Sequence, residues 1–395
     1  MKNIPYSYLR RQFADPDALL DALRPLVQGG EFTLGPRVER FEREFAALHR
    51  APGGEVPGAV GVGSGTDAIA MALEACGIGP GDEVITSPTT FLATAGAVIM
   101  TGARPVFVDT DERYLIDLEK IEAAITPKTR ALLPVHYTGD MVDMARLREI
   151  ADRHDLRVVE DACQAVLARH GGAPPGTFSD AAAFSLHPLK NLHVWGDGGM
   201  VLSRRPELIE SLRLQRNHGL VNRDEAVVFG RNSRLHTLQA AVGSLLVGDA
   251  EADAEARVAL ARRYDDAVAD LAPAVRVPPR DPRSRHVYHL YVLQVERRDE
   301  VLAGLLERGV SAKIHYPIPV HLQEAAGHLG YGRGDFPRAE AYADRALTLP
   351  LNPYLGAQEI EHILESLREV VRELPQAGDP KAPGPPAAAE SVAAR

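Results

Sequence analysis

Cysteine is scarce in this sequence, and so is every signature of a membrane or nucleic-acid protein. Only Cys76 and Cys163 occur in 395 residues, and they form no CxxC pair. A disulfide framework and a cysteine-based zinc site are therefore excluded as organising features. No apolar run approaches the roughly 20 residues needed to span a bilayer, and no apolar leader opens the chain. No basic block offsets the net charge of -10, which argues against nucleic acid as a partner. These absences lead us to expect a cytoplasmic globular protein, long enough to hold more than one core.

What is present is an alternation of short apolar runs with helical patterns. The runs are "GDEVITS" (81–87), "RPVFVD" (104–109), "RALLPVH" (130–136), "LRVVED" (156–161), "AAAFSL" (181–186) and "GMVLS" (199–203). Helical stretches such as "TFLATAGAVIMTG" and "MVDMARLREIADRH" lie between them. This pattern predicts an α/β fold with parallel strands covered by helices. Ligands of such sheets bind beyond the carboxyl ends of the strands, where Asp109, His136, Asp161 and Ser185 fall.

From about residue 250 the pattern changes. A long helical stretch leads into "HVYHLYVLQV" (286–295), a helix over 299–308, the strand-like "SAKIHY" and a closing helix near 357–373. We expect a large domain over 1–250 and a smaller α+β domain over 251–374. The Pro- and Ala-rich stretch 375–395 reads as a disordered tail.

Three motifs carry chemistry. In "VGVGSGTDAIAMALEA" (60–75), Gly63, Ser64, Gly65 and Thr66 stand at the turn into a helix. Free N–H groups there would cradle a phosphate, although the same residues would equally cap an ordinary helix. The third glycine of a dinucleotide fingerprint is missing, which weakens a nicotinamide reading. In "VVEDACQA" (158–165), Asp161 is either a plain helix cap or a carboxylate that keeps a pyridine nitrogen protonated, with Gln164 reaching the ring oxygen. In "FSLHPLKNLHVWGDGGM" (184–200), Lys190 follows a strand beside Ser185, His187 and Asp197. Alone it reads as a surface lysine. A phosphate cup, a ring-nitrogen acid and a lysine able to form a Schiff base together suit pyridoxal 5'-phosphate, in the order found in fold-type I aminotransferases.

The sequence resembles the DegT/StrS family of sugar aminotransferases over roughly residues 3 to 372. "GEFTLGPRVERFEREFA", "VGSGTDAI", "PVFVDTD", "VVEDACQA", "FSLHPLKNL", "GDGGM", "RNSRLHTLQAA" and "HYPIPVHLQ" carry the resemblance. It implies a seven-stranded, mostly parallel sheet in the large domain. Lys190 would be the Schiff-base lysine and proton carrier, and Asp161 the partner of the pyridinium nitrogen. Gln164 would meet the ring oxygen and Phe91 would stack on the ring. Gly65, Thr66 and Ser185 would bind the phosphate, and Asn232 would reach the phosphate of the other subunit in a homodimer.

The same resemblance implies that L-glutamate gives its amino group to the cofactor, forming pyridoxamine 5'-phosphate, and that a keto sugar then receives it. His187, Trp195, His315, Tyr316 and His321 would lie on the substrate side, so the resemblance accounts for His315, His321 and His328 without a metal. "NHGLVNRDEAVVFGRN" (217–232) is expected to be a mobile loop that closes over substrate. Lys190 itself favours transamination, since relatives with histidine there are dehydratases. The long loop ending in G-D-G-G favours a nucleotide-linked 3-keto-6-deoxyhexose, whereas "PVHYTGDMVDM" leans toward 4-keto sugars. Amination of a 4-keto sugar or an inosose, and a non-catalytic regulatory role, are the rival expectations.

Overall fold

The computed structural model describes residues 3–374, so the predicted tail at 375–395 lies outside the described residues. The short apolar runs become strands: β1 (Gly58–Val62), β2 (Glu83–Thr86), β3 (Arg104–Phe107), β4 (Thr129–Leu132), β5 (Arg157–Asp161), β6 (Arg169–His170), β7 (Ala181–Ser185) and β8 (Gly199–Ser203). All but β6 join one seven-stranded sheet in the order β1-β8-β7-β5-β4-β2-β3. β8 is antiparallel to both its neighbours, and every other pairing is parallel. The exception has a simple cause. β7 reaches β8 through the segment 186–198 without a crossover helix, so the chain must return in the opposite direction.

Both faces of the sheet are covered, which is why the strands lack polar alternation. Val84, Ala131 and Val159 face the helix Gly65–Ala75, whose residues 68–73 are all buried. Their neighbours Ile85, Leu132 and Val158 face the opposite core, which includes Phe41 and Phe45 of the helix Pro36–Leu48. Period-two alternation thus distributes one apolar run between two cores.

A third core gathers the strands β9 (Val275–Arg276), β11 (Tyr291–Val295) and β12 (Ala346–Leu349), while β10 (Ser284–Arg285) pairs with β6. The helices Ala250–Val268, Arg298–Glu307 and Ala357–Glu373 pack against it. Ile4, which stands in the first half by sequence order, is fully buried there and donates its N–H to Gly309 at 2.8 Å.

Two strand expectations fail here. Residues 286–290 form no strand, and "SAKIHY" contributes only an isolated bridge between Lys313 and Thr348. The His315 carbonyl explains the second difference. It accepts from the hydroxyls of Tyr137 and Tyr342, at 2.6 and 2.8 Å, instead of joining a ladder. Among the described residues no helix is long and apolar enough to cross a membrane.

Candidate active site

The segment 186–198 leaves the sheet at Ser185 and is pinched at its base. Leu186 N–H donates to Gly198 at 2.8 Å, and Val194 N–H donates to Leu186 at 2.9 Å. A turn closed by Lys190 N–H on the His187 carbonyl, also 2.8 Å, presents Lys190 to a cavity of about 350 Å³. Lys190 is half-buried, and burial around its amine pushes its pKa below the usual lysine value. Cys163 and Asp161 nearby oppose that shift.

Asp161 enters the same cavity from the end of β5. Its carboxylate is buried and doubly held: Oδ2 accepts from Thr94 Oγ1 at 2.7 Å, and Oδ1 from Cys163 N–H at 3.1 Å. Charge-assisted bonds of this kind let a carboxylate persist away from water. One turn on, Gln164 Oε1 accepts from Thr138 N–H at 2.7 Å. Its NH₂ is thereby left to donate, and Gln164 shares the cavity wall with Tyr316.

The helix Gly65–Ala75 starts at the third corner. Ser64 caps it by accepting from Asp67 N–H at 3.1 Å. A Cβ on Gly65 would stand 2.6 Å from Ser185 Cβ and 3.1 Å from Ser185 Cα, so only glycine leaves room between helix and strand. Gly65, Thr66 and Ser185 all line the cavity at this point. Phe91, half exposed at the entry to the helix Leu92–Met100, lines it too, its ring 5.5 Å from that of Tyr316.

His187, His315 and Tyr316 also lie on the cavity wall. Burial pushes His315 down to about 4, with Lys190 and Lys313 adding to the shift. Three predicted site residues lie elsewhere. Trp195 stands edge-on to Phe13, 5.5 Å between centroids, and packs on the apolar face of the helix Asp17–Gly29. His321 is buried, with Nε2 3.2 Å from Glu340 and its ring against Phe336. Asn232 is exposed and pairs with Asn217. The segment 217–232 folds back on itself through this bridge and another between Leu220 and Ala226, and it does not line the cavity of its own chain.

Two strand-end residues have other work. His136 Nε2 is 2.5 Å from Glu160, both fully buried, because alternation along β5 turns Glu160 away from Asp161. Asp109 accepts from the N–H groups of Arg338 and Ala339 at the start of the helix Pro337–Arg345. Sequence reading also missed Tyr6, Tyr8, Thr94, Arg257 and His289, which line the cavity. Arg257 sits among several arginines in one helix, so no local signal separates it from the others.

The match to known proteins accords with this geometry. Residues 15–368 match the DegT/DnrJ/EryC1/StrS aminotransferase family. The chain belongs to that family. It is an aminotransferase with a fold shared by that family's solved structures. A dTDP-3-amino-3,4,6-trideoxy-alpha-D-glucose transaminase of Streptomyces venezuelae is 42% identical over 376 residues, covering 95% of this chain and 98% of the relative. A pleiotropic regulatory protein of Geobacillus stearothermophilus is 40% identical over 377 residues, covering 94% and 99%. The crystal structure of S. venezuelae DesV in complex with a ketimine intermediate superposes with a TM-score of 0.91 at 41% identity, covering 95% of this chain and all of that one.

Proposed function

We propose that this aminotransferase holds pyridoxal phosphate in the Lys190 cavity and moves an amino group from L-glutamate to a nucleotide-linked 3-keto-6-deoxy sugar. The observation that carries the proposal is the convergence of three chemically different groups on one cavity: the Gly65 cradle, the Asp161 carboxylate and the Lys190 amine. The donor set fits the cofactor. A space that a single Cβ would fill lies beside helix N–H groups, as a phosphate needs, and a buried carboxylate suits a protonated ring nitrogen. When bound, the cofactor supplies an electron sink and a carbon that carries the amino group between substrates.

The chain's own residues supply the rest. Gly65, Thr66 and Ser185 hold the phosphate, and Phe91 covers one face of the ring. Asp161 keeps the ring nitrogen charged, while the Gln164 NH₂ meets the ring oxygen. Lys190 Nζ takes the proton from the donor's α-carbon. The lowered pKa of that amine favours its neutral form, the form able to act as a base. His187, His315 and Tyr316 line the approach for the sugar.

The 3-keto assignment is supported by the long 186–198 loop and by the name of the Streptomyces relative, which places the amino group at carbon 3. The regulatory name of the Geobacillus relative favours a second reading, a binding-only role. Lys190 beside Asp161 weighs against it, since a sensor needs no displaceable amine.

The active unit in this proposal is a homodimer, with Asn232 completing the phosphate site of the second copy. Its exposure outside its own cavity supports this, as do Val221, Val227, Val228 and Phe229, exposed apolar side chains on the same segment.

The test is the visible spectrum of the protein with pyridoxal phosphate, before and after L-glutamate. We expect a band that depends on Lys190 and gives way on adding glutamate, with release of 2-oxoglutarate. A folded wild-type protein that forms no band would overturn the proposal.

A further inference from the structure

Arg257 is a charged group on the cavity wall that the roles above leave unused. It lies in the helix Ala250–Val268 and is only 3% exposed, yet it lines the same cavity as Lys190. A buried guanidinium is costly unless it is well partnered. Its partners here are neutral. Nη1 donates to the carbonyls of Tyr288 and Leu351, at 3.3 and 3.0 Å, while the Tyr8 hydroxyl donates to the Lys190 carbonyl at 3.4 Å. The guanidinium carbon stands 5.4 Å from the centre of the Tyr8 ring. Asp253, one turn earlier, is near enough to be influenced by the charge but forms no ion pair with it among the described residues.

Nε of Arg257 is buried without a hydrogen-bond partner. Because Nη1 is taken by the two carbonyls, the remaining edge is Nε with Nη2. That edge is the one that meets a planar carboxylate through two parallel N–H bonds.

Competition for an anion in this cavity is slight. Lys190 is committed to the cofactor. His187, His289 and His315 line the wall, and burial holds each below the usual histidine value, hence neutral at pH 7. The phosphate cradle is occupied by the cofactor. An amino acid that enters must still set down at least one carboxylate, and a cavity without a matching cation would reject it.

We propose that Arg257 is the carboxylate anchor for the amino donor, binding a dicarboxylic amino acid and its 2-oxo product through the guanidinium edge that its carbonyl partners leave open. The assignment rests on the reading of this cavity as the transamination site. It commits Arg257 to the donor half of the cycle, while cofactor capture depends on other residues.

Arg257 also ties three segments together, so the test must separate anchoring from support. The cofactor-loaded wild type, Arg257→Gln and Arg257→Lys are compared in two measurements. One is calorimetric binding of glutarate, a diacid that cannot react. The other is the L-glutamate concentration that half-saturates loss of the visible band.

We expect Arg257→Gln to form the band with unchanged cofactor affinity. Its glutarate binding and glutamate half-saturation should weaken about 10- to 100-fold, the scale of a lost charge-assisted pair. The limiting rate at saturating glutamate should change far less. Arg257→Lys, which keeps the charge but not the fork, should fall between. Unchanged glutarate binding and glutamate half-saturation in a variant with a normal band would overturn the anchor, and Arg257→Lys carries that test if Arg257→Gln does not fold. Failure of the transamination reading looks different: the wild type itself would then ignore amino acids.

Discussion

Thr94 Oγ1 donates to Asp161 Oδ2 at 2.7 Å, and Thr90 Oγ1 lies 2.6 Å from the same Thr94 oxygen. Thr94 has one proton to give, so the direction is fixed: Thr90 donates to Thr94 and Thr94 donates to the carboxylate. The buried Asp161 is thus stabilised as an anion by a relay from the start of the helix Leu92–Met100.

Thr94→Val should therefore slow the glutamate half-reaction by about 10- to 100-fold, the range expected for a hydrogen bond to a charged group, with the visible band retained. Asp161→Asn should cost more. It should also move the pH midpoint of band formation downward. Asp161 favours the charged form of Lys190, and its loss frees the neutral amine at lower pH. Stopped-flow spectra across a pH series would check both.

Gly65→Ala puts a methyl group 2.6 Å from Ser185 Cβ, and the Ser185 backbone behind it leaves little room to yield. We expect overpacking to cost about 1–3 kcal/mol and the phosphate cradle to close. Titration with pyridoxal phosphate should show weakened cofactor binding. Thermal unfolding of the cofactor-free protein would report the packing cost separately.

His49 does not line the cavity and should dominate no activity profile, yet it should make stability pH-dependent. Its Nδ1 is 3.1 Å from the Phe45 carbonyl, its Nε2 is buried without a partner, and burial pushes its pKa down to about 4. The folded state therefore refuses a proton that the unfolded chain accepts below about 6.5. Stability from this group is complete above pH 6.5 and is lost as pH falls toward 4, by about 3 kcal/mol in all. In His49→Phe the acid limb of a urea-midpoint profile should be flatter than in the wild type.

If Asn232 serves the neighbouring copy, Asn232→Ala and Lys190→Ala homodimers should each be poorly active. Co-expressed, they should recover turnover, because half of the sites in a mixed dimer carry neither change. A lack of recovery in purified heterodimers would place Asn232 in its own subunit's chemistry or outside the reaction.

The large sheet was legible because burial on both faces leaves runs such as Val158–Val159 and Ala181–Ala183 without polar interruption. Gly65, Asp161 and Lys190 were legible as a set because each sits at a strand end or within a short turn after one, a position fixed by local sequence. "SAKIHY" reads as a strand by composition, but the Tyr137 and Tyr342 hydroxyls take the His315 carbonyl, and those residues come from distant segments. Trp195 shares the Lys190 loop, yet its ring is drawn to Phe13 and the helix Asp17–Gly29, a partner that spacing along the loop cannot reveal.

By itself, the sequence determined the alternating strands and helices, the family, and the glycine, carboxylate and amine that define the chemistry. These depend on side-chain type and on spacing within a few residues. The tertiary structure alone decided which titratable groups share the cavity. It turned Glu160 toward His136 while Asp161 faced the site, removed His321 to a pocket beside Glu340, and brought Arg257 to the cavity wall from the helix Ala250–Val268. Such groups interact through space over a few ångströms, and the chain distance between Lys190 and Arg257 carries no trace of it.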